Sequence, residues 1–138
     1  FMKKPLNSTY VSYHHMNISN IFKHQHGISK KEIYGAYKIF FGTLVSESRL
    51  KIINLLRKRG KNVSEIIKEL KMSQTCVSHD LAKLKKCGFV KVEIKGKYRD
   101  YKLNKKTISP LMKLIDEHMS HYCIHILKET EKMKGGER

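Results

Sequence analysis

A mainly α-helical domain finished by one β-hairpin is the fold class the sequence predicts, an α+β arrangement in the order α-α-α-α-β-β-α. Three observations predict it. Apolar residues recur at helical spacing from residue 29 to residue 88, the period changes to alternation just after Gly88, and helical spacing returns beyond Ser109. A chain of 138 residues has room for one such domain and a core that needs no staples.

Residues 1–28 show no sustained period and hold His14, His15, His24 and His26, so they read as an N-terminal arm. The folded domain is expected over 29–134, with 135–138 as a tail. Ser29 and Glu32 stand at capping-box spacing ahead of Ile33, Tyr37, Phe40, Phe41 and Leu44, which opens the first helix. Gly42 and Thr43 loosen its end. A second helix runs from about Glu47 to Gly60 and carries Leu50, Ile52, Ile53, Leu55 and Leu56, an apolar surface wide enough to require a central position. Asn62 and Glu65 repeat the capping spacing, and Ile66, Ile67 and Leu70 give a short third helix facing inward. Lys71, Met72 and Ser73 make a turn, and Ser73 caps a fourth helix. In that helix Val77, Leu81 and Leu84 fall at i, i+4 and i+7 and must face the core. Thr75, His79, Ala82 and Lys86 point the other way, flanked by Ser78 and Lys83, with Gln74 on the first turn. Gly88 stops the helix.

Val90, Val92 and Ile94 then fall on one side of a strand, with Lys91 and Glu93 on the other. Lys95, Gly96 and Lys97 form the turn; the return strand places Tyr101 and Leu103 inward, with Arg99 and Lys102 near the tip or edge. The last helix begins near Ser109 and Pro110, a cap and a residue favoured in the first turn, and runs to about Lys132. Ile108, Leu111, Ile115, Met119, Tyr122, Ile126 and Met133 form a stripe longer than a small domain covers from within. The first helix has a similar surplus at Tyr37, Phe40 and Phe41. Together these stripes predict a homodimer seam through the first and last helices, an isologous pairing that sets two copies of the fourth helix about 34 Å apart, one DNA turn. Packing of the same stripes within a monomer is the alternative.

Charge points to the partner. Lys and Arg number 29 against 12 Asp and Glu, a formal net charge of +17, and such a surface seeks polyanions. Two helices joined by a short turn and followed by a hairpin compose a winged helix-turn-helix. Its second helix has a small, polar and basic outward face suited to base edges in double-stranded DNA. The hairpin tip offers Lys95, Lys97 and Arg99 to phosphates or to the minor groove. Three cysteines, Cys76, Cys87 and Cys123, form an odd set that fits a reducing cytoplasm. Cys76 and Cys87 lie eleven helical residues apart, about 16 Å, too far to bridge. No membrane span, phosphate-binding glycine loop, HExxH or nucleophile elbow is present in the sequence, so an enzyme is not expected.

Residues 30 to 133 resemble the arsenic-repressor family of small metal-responsive winged-helix repressors. The resemblance lies in SESRLKIINLL, SQTCVSHDLAKLKKCGFV and KGKYRDYKL, in that order, although Ser46, Glu47 and Ser48 stand before Arg49 where the family has Asp-Pro-Thr. It implies a sequence-specific DNA-binding transcriptional regulator, a homodimeric repressor released by a signal at the last helix. By similarity Gln74, Thr75, Ser78 and His79, following Ser73, meet bases, while Lys83, Lys86, Lys95, Lys97 and Arg99 hold phosphates. A non-sensing architectural or protein-interaction module is the other reading.

The resemblance divides on metal. The cysteines of the family's arsenic-type site align with Asn62 and Ser64, so that site is missing. In the zinc-type site the early ligands align with Lys105 and Thr107, which cannot serve, while the later pair is kept as His118 and His121. With His125 these histidines span about 60° of an unbroken helix, a spacing that would let them converge on zinc or another divalent transition metal. Asp116, Cys123 or arm histidines would complete four ligands. The competing expectation is that all three are half-buried packing residues at the seam.

Overall fold

The computed structural model describes residues 27–136. Its elements are α1 (Lys30–Leu44), α2 (Glu47–Leu56), β1 (Lys61–Asn62), α3 (Val63–Leu70), α4 (Gln74–Lys86), β2 (Val90–Lys95), β3 (Tyr98–Leu103), α5 (Ile108–His121) and α6 (Cys123–Gly135). The chain divides between Phe41 and Gly42 into two units, and each is described by itself.

On the N-terminal side, the Ser29 hydroxyl accepts the Glu32 N–H at 3.2 Å and the Ser29 N–H donates to Glu32 Oε2 at 2.7 Å, which closes the expected capping box. The Ser29 backbone donor, with its hydroxyl second, holds the Glu32 carboxyl below its ordinary pKa. Tyr34, Tyr37 and Phe41 follow one another along α1 at ring spacings of 6.2 and 6.3 Å, and Phe40 meets Phe41 edge-on. Tyr34, Tyr37 and Phe41 are exposed.

The second unit is built round α2, whose Ile52, Ile53 and Leu56 are buried as its wide apolar surface requires. Ile66 of α3, Val77, Leu81 and Leu84 of α4, Phe89, Val90, Leu103, Ile108 and Met112 complete the core. Asn62 caps α3 by accepting the Glu65 N–H at 2.9 Å, while the Glu65 carboxylate takes the Asn62 N–H at 3.3 Å. A hydrogen bond from Arg59 at 2.8 Å, followed by the Asn62 donor, pulls the Glu65 pKa down; Glu65 in turn raises that of Arg59.

The sequence reading missed β1. Lys61 and Asn62 pair antiparallel with Tyr101 and Asp100 of β3, so the sheet is three-stranded in the order β1-β3-β2. Two residues are too few to show a period, and neither residue favours strands. Lys61 is also buried, its ammonium 2.6 Å from Glu69 Oε1, a partner that makes its burial tolerable.

The hairpin keeps the expected register, Val90 opposite Leu103 and Val92 opposite Tyr101. Gly96 alone supplies a positive φ in its two-residue turn, as a type II′ turn requires. Val90, Val92 and Ile94 share a face but not a fate: Val90 is buried, Val92 half-buried, and Ile94 exposed because the hairpin runs past the core.

Two expectations for the end of the chain need correction. The helix starts near the expected place, at Ile108, but Ser109 lies inside its first turn and is not its cap, and the Asn104 carbonyl receives the N–H groups of both Ile108 and Ser109. Pro110 therefore sits third in α5, where its missing N–H is still no loss. The single long helix to Lys132 is in fact two: Tyr122, at φ −126° and ψ −70°, separates α5 from α6. No Gly or Pro marks that break.

Gly88 closes α4 in a left-handed conformation, φ +75°. The Phe89 N–H reaches the Leu84 carbonyl at 2.9 Å and the Gly88 N–H that of Lys85 at 3.1 Å, a Schellman motif, with Phe89 and Leu84 both fully buried beside it. A Cβ at Gly88 would meet nothing within 4 Å, so any penalty there comes from the backbone alone. Gly88→Ala is expected to cost about 1 to 2 kcal/mol of unfolding free energy by urea denaturation, whereas Gly88→Asn, tolerant of this conformation, should cost less.

Candidate nucleic-acid interface

Four constraints aim α4. Its start is fixed by Ser73, whose hydroxyl accepts the Cys76 N–H at 3.1 Å; its end is fixed by Gly88. Its inner face is held by Val77, Leu81 and Leu84, each 1% exposed or less. The fourth constraint is Asp80, which is 3% exposed and charged. Its carboxylate accepts from Ser48 Oγ at 2.5 Å and from Arg49 Nη1 at 3.3 Å, with the Cys76 thiol at 3.7 Å. Sequence reasoning passed over Asp80, although its place between Val77 and Leu81 puts it within the inward arc. It noted Arg49 only as part of a motif.

The opposite face is open. Ser73, Gln74, Thr75, Ser78, His79, Ala82, Lys83 and Lys86 are all exposed, as is Lys85, which sequence reasoning left out. Lys83, Lys85 and Lys86 occupy the last turn, where cations suit the negative end of the helix dipole. Beside the first turn a groove of about 420 Å³, lined by Glu47, Ser48, Lys51, Met72, Ser73 and Cys76, leaves the N-terminus of α4 accessible.

On the hairpin Lys95, Lys97 and Arg99 are exposed. Lys95 lies 3.8 Å from Asp100, while Lys97 and Arg99 make no ion pair among the described residues. Lys102 bonds Glu93 at 2.5 Å, which raises the lysine pKa and lowers that of the carboxyl. A second groove, about 390 Å³, adds Lys91, Lys105 and Lys106 to the cations at the base of the hairpin. Unpaired cations spread along one element are what a phosphate backbone engages, because each neutralised phosphate releases counterions.

The histidine set does not assemble. Tyr122 interrupts the helix between His121 and His125, so the 60° arc of an unbroken helix does not apply. His118 instead lies against the Tyr122 ring at 4.8 Å. Asp116 is engaged by Arg57 at 2.6 Å and is no free ligand. Among the described residues no group of three or more His, Cys, Asp or Glu side chains is placed to hold a metal ion. Nor are these histidines half-buried in a single chain: His118, His121 and His125 are all exposed. The arm histidines fall outside the described residues.

The residues proposed for self-association are partly uncovered. Tyr37, Phe41, Met119, Tyr122 and Ile126 are exposed, and Phe40, Leu111 and Ile115 are half-buried. Leu114, Ile124, Leu127 and Met133 enlarge the exposed apolar surface of α5 and α6. No helix among the described residues is long and apolar enough to cross a membrane.

Comparison with known proteins places this geometry. The model of bacterial regulatory proteins of the arsR family matches residues 46–92, from the cap of α2 into β2. An uncharacterized HTH-type transcriptional regulator of Methanocaldococcus jannaschii is 39% identical over 71 residues, 51% of this chain and 80% of the relative. Among solved structures, Rv0081 of M. tuberculosis superposes with a TM-score of 0.64 at 22% identity, over 69% of this chain and 96% of that one. The homodimeric winged helix-turn-helix DNA-binding domain of Mb0332 from Mycobacterium bovis gives 0.63 at 22% identity, over 71% and 93%. HlyU from Vibrio cholerae, in its reduced form, gives 0.56 at 22% identity, over 67% and 95%. These likenesses show a winged helix-turn-helix fold.

Proposed function

The chain belongs to the arsR family of regulatory proteins, and from that premise we propose that it is a homodimeric repressor which holds a short palindromic operator and leaves it when a signal acts on its last helices. Family membership makes it a DNA-binding transcriptional regulator rather than an enzyme. The observation that carries the rest is the division of α4 between a locked inner face and an outer face that is exposed throughout and, Ala82 apart, polar or basic.

In this reading α4 lies in the major groove, with Gln74, Thr75, Ser78 and His79 at base edges. Lys83 and Lys86 hold phosphates beside them, while Lys95, Lys97 and Arg99 follow the adjacent backbone or minor groove. The uncovered apolar stripes on α1, α5 and α6 support pairing of two copies, since exposed patches of that kind usually mark an interaction surface. The seam would set the α4 helices about 34 Å apart, in successive major grooves. The Arg57–Asp116 pair joins the residue just after α2 to α5 and offers a path from the last helices to the reading unit. A ligand releases the operator only if it binds the DNA-incompetent arrangement more strongly, by a coupling of about 1 to 3 kcal/mol. Zinc or another divalent metal enters this reading only as one candidate for the signal, since the described histidines of a single chain form no ligand cluster. The setting is the cytoplasm, where operator DNA lies.

The rival is an architectural protein that coats DNA without reading it. Fragments retained by the 138-residue chain are selected from a random duplex pool. A repressor complex is expected to persist in excess random duplex and to protect two half-sites centred about 10 base pairs apart. Dissociation in step with added competitor, with no enriched sequence, would establish coating instead.

A further inference from the structure

A buried carboxylate is an odd choice for the inner face of a helix. An apolar residue at position 80 would pack beside Val77, Leu81 and Leu84 without a desolvation penalty, and buried ion pairs are often no more stabilising than apolar replacements of similar volume. Arg49 meets Asp80 with a side chain only 13% exposed and spends its whole guanidinium locally. Its Nη1 reaches Asp80 Oδ1, its Nε donates to the Thr43 carbonyl at 2.7 Å, and its Nη2 donates to the Gly42 carbonyl at 3.2 Å. Ser48, one residue earlier on α2, holds the second oxygen of the same carboxylate. One planar, rigid fork therefore ties the last turn of α1 and the first turn of α2 to the middle of α4.

The two kinds of contact constrain α4 differently. Apolar packing is non-directional, so Val77, Leu81 and Leu84 fix the depth of the helix more firmly than its rotation about its own axis. A carboxylate held at both oxygens by donors of fixed geometry resists that rotation. Asp80 directly follows His79 and lies two residues after Ser78, so rotation about this point sweeps the proposed base-reading side chains across the groove. We infer that Arg49 and Asp80 are positioning residues for sequence reading: they touch no DNA, and their pairing, with Ser48 as third member, sets the angle at which Thr75, Ser78 and His79 meet base edges. This inference rests on the proposal that α4 enters a groove.

The test uses the 138-residue chain, the duplex selected by the unmodified protein and a scrambled duplex of equal length. Three variants are compared: Asp80→Asn, Arg49→Lys, which keeps the charge and loses the fork, and the apolar pair Arg49→Leu with Asp80→Leu. In each variant the preference for selected over scrambled duplex is expected to fall at least tenfold, while affinity for the scrambled duplex stays within about twofold, because phosphate contacts remain. The apolar pair decides most sharply, since it should melt no lower than the unmodified protein and still lose its preference. Unchanged preference in a folded apolar pair overturns the inference, as does loss of folded circular dichroism in all three variants, which would make the pair a support of the fold. Absence of any preference in the unmodified protein is the separate failure of the groove-reading proposal, and the inference falls with it.

Discussion

Replacing Thr75 and His79 together by alanine is expected to lower affinity for the selected operator by about a hundredfold, each side chain at a base edge being worth about 1 to 3 kcal/mol of discrimination. Both are exposed on α4, on the face opposite Val77, Leu81 and Leu84. Among the described residues neither makes a hydrogen bond or ion pair to another side chain, so the folded chain should keep its stability within about 0.5 kcal/mol. Alanine is also the better helix former. Affinity for random duplex should change little, because Lys83, Lys86, Lys95, Lys97 and Arg99 remain to hold phosphates. Titration of labelled operator and random duplexes at one fixed salt concentration reads both numbers. Operator affinity that survives the double substitution would remove α4 from the groove and with it the proposed mode of binding.

The second large effect is expected at Phe89, which is fully buried and stands where α4 ends and the hairpin begins. Its N–H closes the Schellman motif on Leu84, and its carbonyl accepts the Asn104 N–H at 2.9 Å, just beyond β3. Removing the ring leaves a cavity between the reading helix and the hairpin. Phe89→Ala should therefore cost about 3 to 5 kcal/mol, a large part of a typical domain stability of about 5 to 15 kcal/mol. Urea denaturation at fixed protomer concentration measures it, fixed because pairing of copies would itself add stability. Phe89→Leu, which refills most of the space, should recover more than half of the loss. A cost below about 1 kcal/mol for the alanine would mean that this junction is not packed as described.

Much of the reading unit was legible because its signals are local. The α4 helix, from Gln74 to Lys86, is bounded by the Ser73 cap and the Gly88 stop that the sequence marked, and the hairpin keeps the register that its alternation implied. Each of these depends on residues a few positions apart. The features that escaped depend on partners far along the chain. Asp80 and Arg49 are 31 residues apart, and β1 exists only because Tyr101 and Asp100 arrive beside Lys61 and Asn62. Ile94 follows the strand pattern of Val90, yet its exposure depends on where the core ends. The break at Tyr122 divides a stripe that periodicity alone joined, and with it the histidine arc.

The sequence by itself determined that this chain makes a basic, winged helix-turn-helix with a polar outward face on its second helix, since capping, periodicity and turn chemistry act within about four residues. Only the tertiary structure decided how that helix is held, by a buried pair between α2 and α4, and that His118, His121 and His125 do not converge. Both outcomes turn on tertiary detail that periodicity and capping leave unspecified: burial gives a charge its partner, and the irregular backbone at Tyr122 interrupts the helix along which the histidines would align.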